Sequence, residues 1–294
     1  MRFGLSLAVF TEDPARPLDV ARRAAAAGYD AVFASDHLFP PGAPERPSLE
    51  PYTLLAAIAT SNPGLGVGVL VTRAGYRPIG MLAKQAAALD DITGGNAVIG
   101  IGIGDANGRA EHRAIGLDYP PFLERAALAG ETALALRTLF AGEPWAGGER
   151  TPPIAGPILP AAAPRVWIGG TKSTAVATAA RAADAWNGWA LDRETFLARA
   201  EELAARAREA GRDPADVPPT WAGIVLVGRD APEVETLARD RSAKGLPMGI
   251  WRGTTGELRA FRDDLAAAGT AWLIALAAGP ADRLDLIAET LREG

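Results

Sequence analysis

Short runs of apolar residues alternate along the chain with alanine-rich stretches of helical length. In the first half, the apolar runs predict strands over residues 3–8, 31–34, 65–71 and 97–104. The stretches between and after them predict helices over residues 18–27, 52–59, 79–90 and 122–140. Strands that are apolar along their whole length and separated by helices indicate a parallel sheet covered on both faces.

The same alternation resumes after a segment rich in proline and glycine at residues 142–164. It predicts further strands over residues 165–170, 185–190, 221–227 and 271–276, and a last helix over residues 281–291. Eight strand–helix units favour an α/β fold of the (β/α)8 TIM-barrel type over a doubly wound sheet of about six strands. We therefore expect residues 1–294 to form a single barrel domain, with insertion segments 39–51 and 142–164 at the carboxyl-terminal face.

Composition excludes several classes of protein. The chain has 294 residues, of which 48% are hydrophobic and 22% are charged, as in ordinary globular proteins. A formal net charge of −5 offers no basic surface for nucleic acid or an anionic membrane. Cysteine is absent, which excludes disulfides and thiolate metal sites, and no apolar run reaches the roughly 20 residues of a membrane span. The first residues lack the pattern of a signal peptide, so we expect a cytoplasmic protein.

One of the two histidines of the chain, His37, directly follows Asp36 and the second predicted strand. In a (β/α)8 barrel, the carboxyl ends of the strands and the loops after them form the catalytic face, which places both side chains at the mouth. The alternative is structural, with Asp36 capping the next turn and His37 bonding to a backbone carbonyl. Position alone does not decide between them.

The fourth predicted strand runs into the segment GIGIGDANG, residues 100–108, with glycine at every second position. Missing side chains on one face of a strand let a flat ligand, or another segment of backbone, approach closely. The spacing does not match a dinucleotide-binding fingerprint, and no suitable helix is predicted at its end. Glycines that relieve crowding inside the barrel are the alternative interpretation.

The loop after the fifth predicted strand, GGTKST at residues 169–174, precedes an alanine-rich helix. Free N–H groups at the start of a helix, with hydroxyls and an ammonium group beside them, bind anions such as phosphate. Ser173 or Thr174 could instead be an N-cap, and Lys172 a solvated charge. Neither alternative excludes a phosphate.

Four longer segments resemble, in the same order, the bacterial-luciferase-like superfamily of flavin- and deazaflavin-dependent oxidoreductases. They are YDAVFASDHLFPP, PIGMLAKQAAALDDITGGNAVIGIGIGD, EHRAIGLDYPPFLER and PRVWIGGTKSTAVATAARAADAWNGW. The resemblance extends along nearly the whole chain, and the combination of segments makes it specific. It implies a luciferase-like barrel that binds FMN or coenzyme F420 with the tricyclic ring in the mouth.

The resemblance also implies residues beside that ring. Asp36 and His37 match the Asp-His position of the family, where both contact the cofactor. Val71 and Thr72 lie at the end of the third strand, where many relatives have a bulge with a non-proline cis peptide behind the ring. His37 is accordingly expected both to bind the cofactor and to take part in catalysis.

Further residues are implied at the fourth and fifth strands. Gly102 and Gly104 match a segment that lines the ring or the substrate space, and Asp105 matches an acid that donates or accepts the proton during hydride transfer. The residues expected to contact the cofactor phosphate are Gly169, Gly170, Thr171, Lys172 and Ser173.

The choice of cofactor rests on two segments, SDH and GIGIGD, which resemble the F420-dependent branch. A deazaflavin transfers hydride and reacts poorly with oxygen, whereas reduced FMN supports monooxygenation. We therefore expect an F420-dependent oxidoreductase that acts on a small organic substrate. An FMN-dependent monooxygenase and a barrel that binds flavin or deazaflavin without turnover are the alternatives.

Substrate and partners are less clearly marked. Phe39, Pro40 and Pro41 occupy the place where some sugar-phosphate dehydrogenases of the group have a tryptophan, and lysines are few in the later loops, which argues against a phosphorylated substrate. Trp189 and Trp251 lie near strand ends, where they could line an apolar substrate space. We expect a homodimer, because relatives are frequently dimers and the alanine-rich helices offer small-residue faces.

No metal site is expected. Two histidines without any cysteine make a set of metal ligands hard to assemble. His112 lies in the polar run NGRAEHR, and we interpret it as a loop residue.

Overall fold

The computed structural model of the protein describes residues 1–293, which contain nine strands and ten α-helices. The strands are β1 (Arg2–Ser6), β2 (Ala31–Ala34), β3 (Gly66–Arg73), β4 (Ala97–Gly102), β5 (Arg165–Gly169), β6 (Ala185–Trp189), β7 (Pro219–Gly228), β8 (Trp251–Thr254) and β9 (Trp272–Ala277). The helices are α1 (Ala15–Ala27), α2 (Pro51–Ser61), α3 (Ile79–Ile92), α4 (Gly108–Ala114), α5 (Phe122–Phe140), α6 (Ser173–Ala182), α7 (Arg193–Glu209), α8 (Ala231–Ala243), α9 (Thr255–Ala267) and α10 (Arg283–Arg292).

Eight of the strands close into a parallel barrel. The order of neighbours is β6, β5, β4, β3, β2, β1, β9 and β7, and β7 pairs back with β6 to complete the ring. The predicted (β/α)8 fold is therefore confirmed. The extra strand, β8, pairs only with the last residues of β7, with Trp251 opposite Val225. It was not predicted because its sequence, WRGT, contains no apolar run.

The predicted boundaries of several elements agree closely with the structure, and one helix was not predicted. The strand at Ala31–Ala34 and the helix at Phe122–Phe140 begin and end where predicted. The helix α4 was missed, because its sequence GRAEHRA has no apolar stripe. The interpretation of His112 as a loop residue is therefore wrong, as is the expectation that no helix follows the glycine-rich strand.

Three aromatic side chains fill the barrel interior below the carboxyl ends of the strands. The ring centroids of Phe33 and Trp167 lie 5.9 Å apart, and that of Trp272 lies 5.6 Å from Phe33 and 6.0 Å from Trp167. A Cβ atom on Gly4 or on Gly68 would lie 2.6 Å from the Phe33 ring. These two glycines thus make room for the three aromatic rings that fill the lower part of the barrel. Polar side chains lie above these rings.

The two insertion segments lie in different places. Residues 39–51 connect β2 to α2 at the carboxyl-terminal face, as expected. Residues 142–164 instead connect α5 to β5 and pack along the outside of the barrel. Thr151 donates a hydrogen bond to Glu131 of α5 at 2.9 Å, and the N–H of Ala163 donates to Asp90 of α3 at 3.2 Å. The expectation that this second segment lies at the carboxyl-terminal face is wrong, because its polar groups form hydrogen bonds with two outer helices.

No helix within residues 1–293 combines the length and apolar character needed to cross a membrane.

Candidate active site

Polar side chains from three consecutive strand–helix connections meet at the carboxyl-terminal face of the barrel. They are His37 after β2, Arg73 and Tyr76 at and after the end of β3, Asp105 after β4, and Glu111 on α4. We refer to these five residues as the mouth cluster. Of its members, only His37 and Asp105 were expected from the sequence.

Glu111 is the centre of the mouth cluster. Its side chain is fully buried, and its Oε1 lies 2.8 Å from Nδ1 of His37. Burial raises the pKa of Glu111, but hydrogen bonds from His37 and Tyr76 and the charges of His37 and Arg73 hold it below its ordinary value. Glu111 is therefore an ionised carboxylate at neutral pH. The His37 side chain is 23% exposed.

Arg73 joins the two carboxylates of the mouth cluster. Its guanidinium donates to Glu111 at 3.2 Å and to Asp105 at 3.3 Å, and only 6% of its side chain is exposed. A charge this deeply buried is stabilised only where acceptors and opposite charge surround it. Arg73 thereby couples the end of β3 to the β4–α4 loop.

Asp105 is more exposed than the other acids. Its Oδ1 accepts hydrogen bonds from Arg73 and from the N–H groups of Asn107 and Gly108, at 3.0–3.3 Å, and its side chain is 57% exposed. Burial raises the pKa of Asp105, whereas Arg73, the Gly108 and Asn107 N–H groups and the charge of His37 hold it below its ordinary value. Asp105 is thus poorly suited to hold a proton at neutral pH.

Asp36 does not pair with His37, although the two are adjacent in sequence. Its carboxylate accepts two hydrogen bonds from Arg77, at 2.5 Å and 3.2 Å, and the residue is 3% exposed. Arg77 also bonds to Glu50, the N-cap of α2, at 2.8 Å. In this structure Asp36 supports the loop that carries His37, and its direct contact with a cofactor stays a prediction.

The carboxyl end of β3 has the bulge that the resemblance implies. The pairing of β3 with β4 shifts in register between Val69 and Thr72, and the Leu70–Val71 peptide bond is cis. The Thr72 hydroxyl is buried and lies 2.7 Å from that of Tyr52. Thr72 therefore anchors the bulge to α2.

The glycines of β4 and β5 make room for Val71 of the bulge. A Cβ atom would lie 2.8 Å from a Val71 methyl group at Gly100, 2.4 Å at Gly102 and 2.6 Å at Gly169. The structure thus supports the interpretation that these glycines relieve crowding. Gly104 has a different role, since its φ of +87° requires a residue without a side chain in the turn before Asp105. Contact of Gly102, Gly104 and Gly169 with a cofactor stays a prediction.

The start of α6 has unused hydrogen-bond donors. Lys172 is the N-cap residue and makes no capping hydrogen bond through its side chain, and within residues 1–293 the N–H groups of residues 171–174 have no protein acceptor. Helices α2, α7, α8 and α9 are each capped by an oxygen-bearing side chain, whereas α1, α3, α4, α5 and α10 lack a side-chain capping hydrogen bond, as α6 does. The alternative in which Ser173 or Thr174 serves as the N-cap is therefore excluded. Such a helix start favours an anion.

Side chains near this helix start are engaged elsewhere. The Nζ atom of Lys172 lies 4.7 Å from the centroid of the Phe122 ring. The Ser173 hydroxyl donates to the carboxylate of Glu202 on α7, which also accepts from Arg199 at 2.6 Å. Burial raises the pKa of Glu202, but Ser173 and Arg199 hold it below its ordinary value. An anion at α6 would therefore find a negative charge near Ser173.

The tryptophans expected near the substrate space have different surroundings. Trp189 ends β6 and is 40% exposed. Trp251 instead packs against Phe261 of α9, with ring centroids 5.8 Å apart, and belongs to the edge of the main hydrophobic core. The expectation for Trp251 is wrong, because β8 lies outside the closed barrel.

Within the part of the chain that the structure describes, no cluster of three or more His, Asp or Glu side chains is arranged to hold a metal ion. His112 is buried, its Nδ1 lies 2.8 Å from the Gly108 carbonyl oxygen, and its ring packs between Tyr76 and Tyr119 at 4.7 Å from each. Burial lowers the pKa of His112 and keeps its ring neutral.

Comparison with known proteins decides the family. The sequence model described as "Luciferase-like monooxygenase" matches residues 1–290. The chain belongs to this family. The luciferase-like family and its oxidoreductase class, both expected from the sequence, are confirmed.

Curated relatives of this luciferase-like chain include a ketoreductase and a dehydrogenase. A phthiodiolone/phenolphthiodiolone dimycocerosates ketoreductase of Mycobacterium kansasii is 31% identical over 225 residues, which cover 69% of the chain and 57% of the relative. An F420-dependent glucose-6-phosphate dehydrogenase of Beutenbergia cavernae is 34% identical over 119 residues, 40% of the chain and 34% of the relative. The chain thus spans little more than half of the first relative and about a third of the second.

A solved structure of an F420-dependent secondary alcohol dehydrogenase in complex with an F420-acetone adduct has the same fold as this luciferase-like chain. It superposes with a TM-score of 0.83 over 99% of both chains, at 17% sequence identity. At this identity the comparison establishes the shared barrel.

Proposed function

We propose that this luciferase-like chain is an F420-dependent oxidoreductase, which transfers a hydride between the deazaflavin and a small organic alcohol or carbonyl compound. The observation that carries the proposal is the hydrogen bonding of the His37 ring. Its Nδ1 contacts a carboxylate, and its Nε2 has no protein partner within residues 1–293, on a partly exposed side chain at the mouth. A free imidazole nitrogen at this face can exchange a proton with a substrate hydroxyl. The names of the F420-dependent relative and of the solved structure support this cofactor.

The residues present fit a cofactor that carries a phosphate. Four consecutive N–H groups, at residues 171–174, are without protein acceptors at the start of α6. We propose that they hold the phosphate together with Gly169, Gly170 and the Lys172 ammonium group. Val71 of the bulge would then support the ring from behind. Both F420 and FMN have a phosphate and a planar tricyclic ring, so this fit applies to either.

The chemistry divides between cofactor and protein. A bound deazaflavin supplies hydride transfer. As an alcohol is oxidised, its carbon loses a hydride and its hydroxyl loses a proton, and we assign the proton to Nε2 of His37. In the reverse direction the imidazolium returns that proton to the carbonyl oxygen. Asp105, ionised beside Arg73, stabilises the positive charge that forms on the His37 ring.

An FMN-dependent monooxygenase is the second candidate, because the description of the whole family is that of a monooxygenase. Titration of the purified protein with F420 and with FMN, each oxidised and reduced, separates the two proposals. We expect F420 to quench the tryptophan fluorescence at micromolar concentrations and FMN to bind at least tenfold more weakly, a difference of about 1.4 kcal/mol. Tight binding of FMN alone would reject the F420 assignment. F420 binding without reduction by any alcohol would favour the barrel that binds without turnover.

Replacing Glu202 by glutamine is expected to tighten cofactor binding. The substitution removes a negative charge beside Ser173 and should lower the dissociation constant about fivefold, corresponding to roughly 1 kcal/mol for a partly solvated charge pair. The exposed neighbour Glu201 offers a matched control, since Glu201→Gln changes the net charge equally. Fluorescence titration in buffers of equal ionic strength measures both variants. Unchanged or weaker binding in Glu202→Gln would place the phosphate away from α6.

The proposal on assembly rests on the resemblance to the family and on the alanine-rich helices, and the proposal on location rests on the absence of cysteine. We propose a homodimer in the cytoplasm, and light scattering across working concentrations tests the oligomeric state.

A further inference from the structure

We propose that Glu111 is a positioning residue that holds the neutral His37 ring in the tautomer with its proton on Nδ1, so that Nε2 carries the lone pair used by substrate. The inference deepens the proposed function, since it assigns the group that makes His37 a base. It concerns the protein without cofactor and can be tested there.

The contacts of Glu111 use all of its acceptor positions. Oε1 lies 2.8 Å from Nδ1 of His37 and accepts from Arg73 at 3.2 Å. Oε2 accepts from the Tyr76 hydroxyl at 2.8 Å and from the N–H of Leu38 at 3.3 Å. A carboxylate oxygen has two lone pairs, so these four contacts occupy every acceptor position of the group. Glu111 is also fully buried, and a saturated, buried carboxylate acts on substrate only through another side chain.

Two groups lie close to Nδ1 of His37: a donor, which would require Nδ1 without a proton, and an acceptor, which requires Nδ1 with one. Arg73 can only donate, and its Nη2 lies 3.4 Å from Nδ1, whereas ionised Glu111 can only accept and lies 2.8 Å away. The shorter contact is an ordinary hydrogen bond and the longer one is at the limit of hydrogen-bond distance. Nδ1 therefore carries the proton, and Arg73 directs its own hydrogen bond to the same Glu111 oxygen.

The remaining groups around His37 do not compete for its ring nitrogens. Asp36 is occupied by Arg77. The Oδ1 atom of Asp105 is bonded to Arg73 and to two backbone N–H groups. The Phe10 ring, with its centroid 5.7 Å from that of His37, is apolar. Glu111 is thus the acceptor that determines the tautomer, as the buried aspartate of a serine-protease triad does for its histidine.

The experiment takes advantage of the fact that the chain has only two histidines. A ¹⁵N-histidine-labelled sample, without cofactor and at a pH where the rings are neutral, yields separate Nδ1 and Nε2 signals for each ring in a long-range ¹H–¹⁵N spectrum. The His37→Ala variant removes one set and assigns the other to His112. We expect wild-type His37 to have a protonated Nδ1 and an unprotonated Nε2. A protonated Nε2 in the wild-type ring would overturn the inference by itself.

Variants then attribute the tautomer to Glu111. In Glu111→Gln the amide is a weaker acceptor and also a donor, so we expect the His37 signals to shift toward a mixture of tautomers while those of His112 stay in place. Glu111→Asp keeps the charge but shortens the side chain by one methylene, and it serves the same purpose where the glutamine variant does not fold. An unchanged His37 pattern in a folded variant would show that Glu111 does not set the tautomer.

Kinetics connect the tautomer to turnover. If the F420-dependent activity is as proposed, Glu111→Gln should lower kcat by up to about 10⁴-fold, the loss that the matching aspartate-to-asparagine change causes in a serine-protease triad, with a smaller effect on the dissociation constant of F420. The proposed function and the positioning role of Glu111 can be rejected independently of each other. A wild-type Nδ1–H tautomer in a protein that never turns over with F420 would reject the proposed function and leave the positioning role, whereas a wild-type Nε2–H tautomer would reject only the positioning role.

Discussion

Replacing His37 by alanine is expected to reduce kcat for the proposed F420-dependent reaction by about 10²- to 10⁴-fold, the usual contribution of a general acid–base group. The variant loses the only imidazole of the mouth cluster. Its dissociation constant for F420 should rise much less than kcat falls, because the substitution does not touch the phosphate site proposed at α6. Steady-state kinetics with a saturating alcohol, combined with a fluorescence titration, separates the two effects.

Asp105→Asn provides the matched comparison at the same face. The sequence predicts Asp105 as a proton donor or acceptor, but Arg73 and two N–H groups keep its pKa below the ordinary value. An ionised carboxylate is a poor acid at neutral pH, so we expect a loss in kcat of about tenfold or less. A loss in Asp105→Asn that exceeds the loss in His37→Ala would return the proton-transfer role to Asp105.

Replacing Gly102 by alanine is expected to destabilise the fold by about 1–3 kcal/mol, the usual cost of overpacking a core. The new Cβ atom would lie 2.4 Å from Cγ2 of Val71, and a β-branched side chain has little freedom to move aside. Urea unfolding followed by circular dichroism measures the free energy. Gly249→Ala is the control, because a Cβ atom there meets no atom within 4 Å.

A double variant identifies Val71 as the cause of that destabilisation. Shortening Val71 to alanine removes the Cγ2 methyl group, which lies 2.4 Å from where the Gly102 Cβ atom would be. We expect the double variant, Val71→Ala with Gly102→Ala, to lose less free energy of unfolding than the two single variants lose together. The difference should be about 1 kcal/mol or more. Strict additivity would show that the glycine has another role, such as direct contact with a ligand.

The fold was largely predictable because its main signal is local. Buried parallel strands are continuous apolar runs, and the alternation of these runs with alanine-rich helices was enough to identify the barrel. The two failures, α4 and β8, have the same physical origin. Both are short and polar, and their backbones adopt regular structure because of neighbouring elements.

The candidate site was predicted in position but not in partners. The sequence places His37 and Asp36 at the same strand end, which suggests a pair. In the closed barrel Asp36 reaches Arg77, whereas His37 reaches Glu111, which is 74 residues away in the chain. Nothing local marks Glu111, because it lies in a polar stretch interpreted as a loop.

By itself, the amino-acid sequence determined the barrel, the luciferase-like family and the faces on which His37, Asp105 and the α6 loop lie, since each depends on periodicity or on a contiguous segment. Only the tertiary structure decided that Glu111 and Arg73 complete the mouth cluster, that the glycines of β4 and β5 accommodate Val71, and that residues 142–164 pack on outer helices. These features depend on contacts between distant segments. The partner of a buried charge is chosen by which acceptors the closed barrel brings within hydrogen-bond distance.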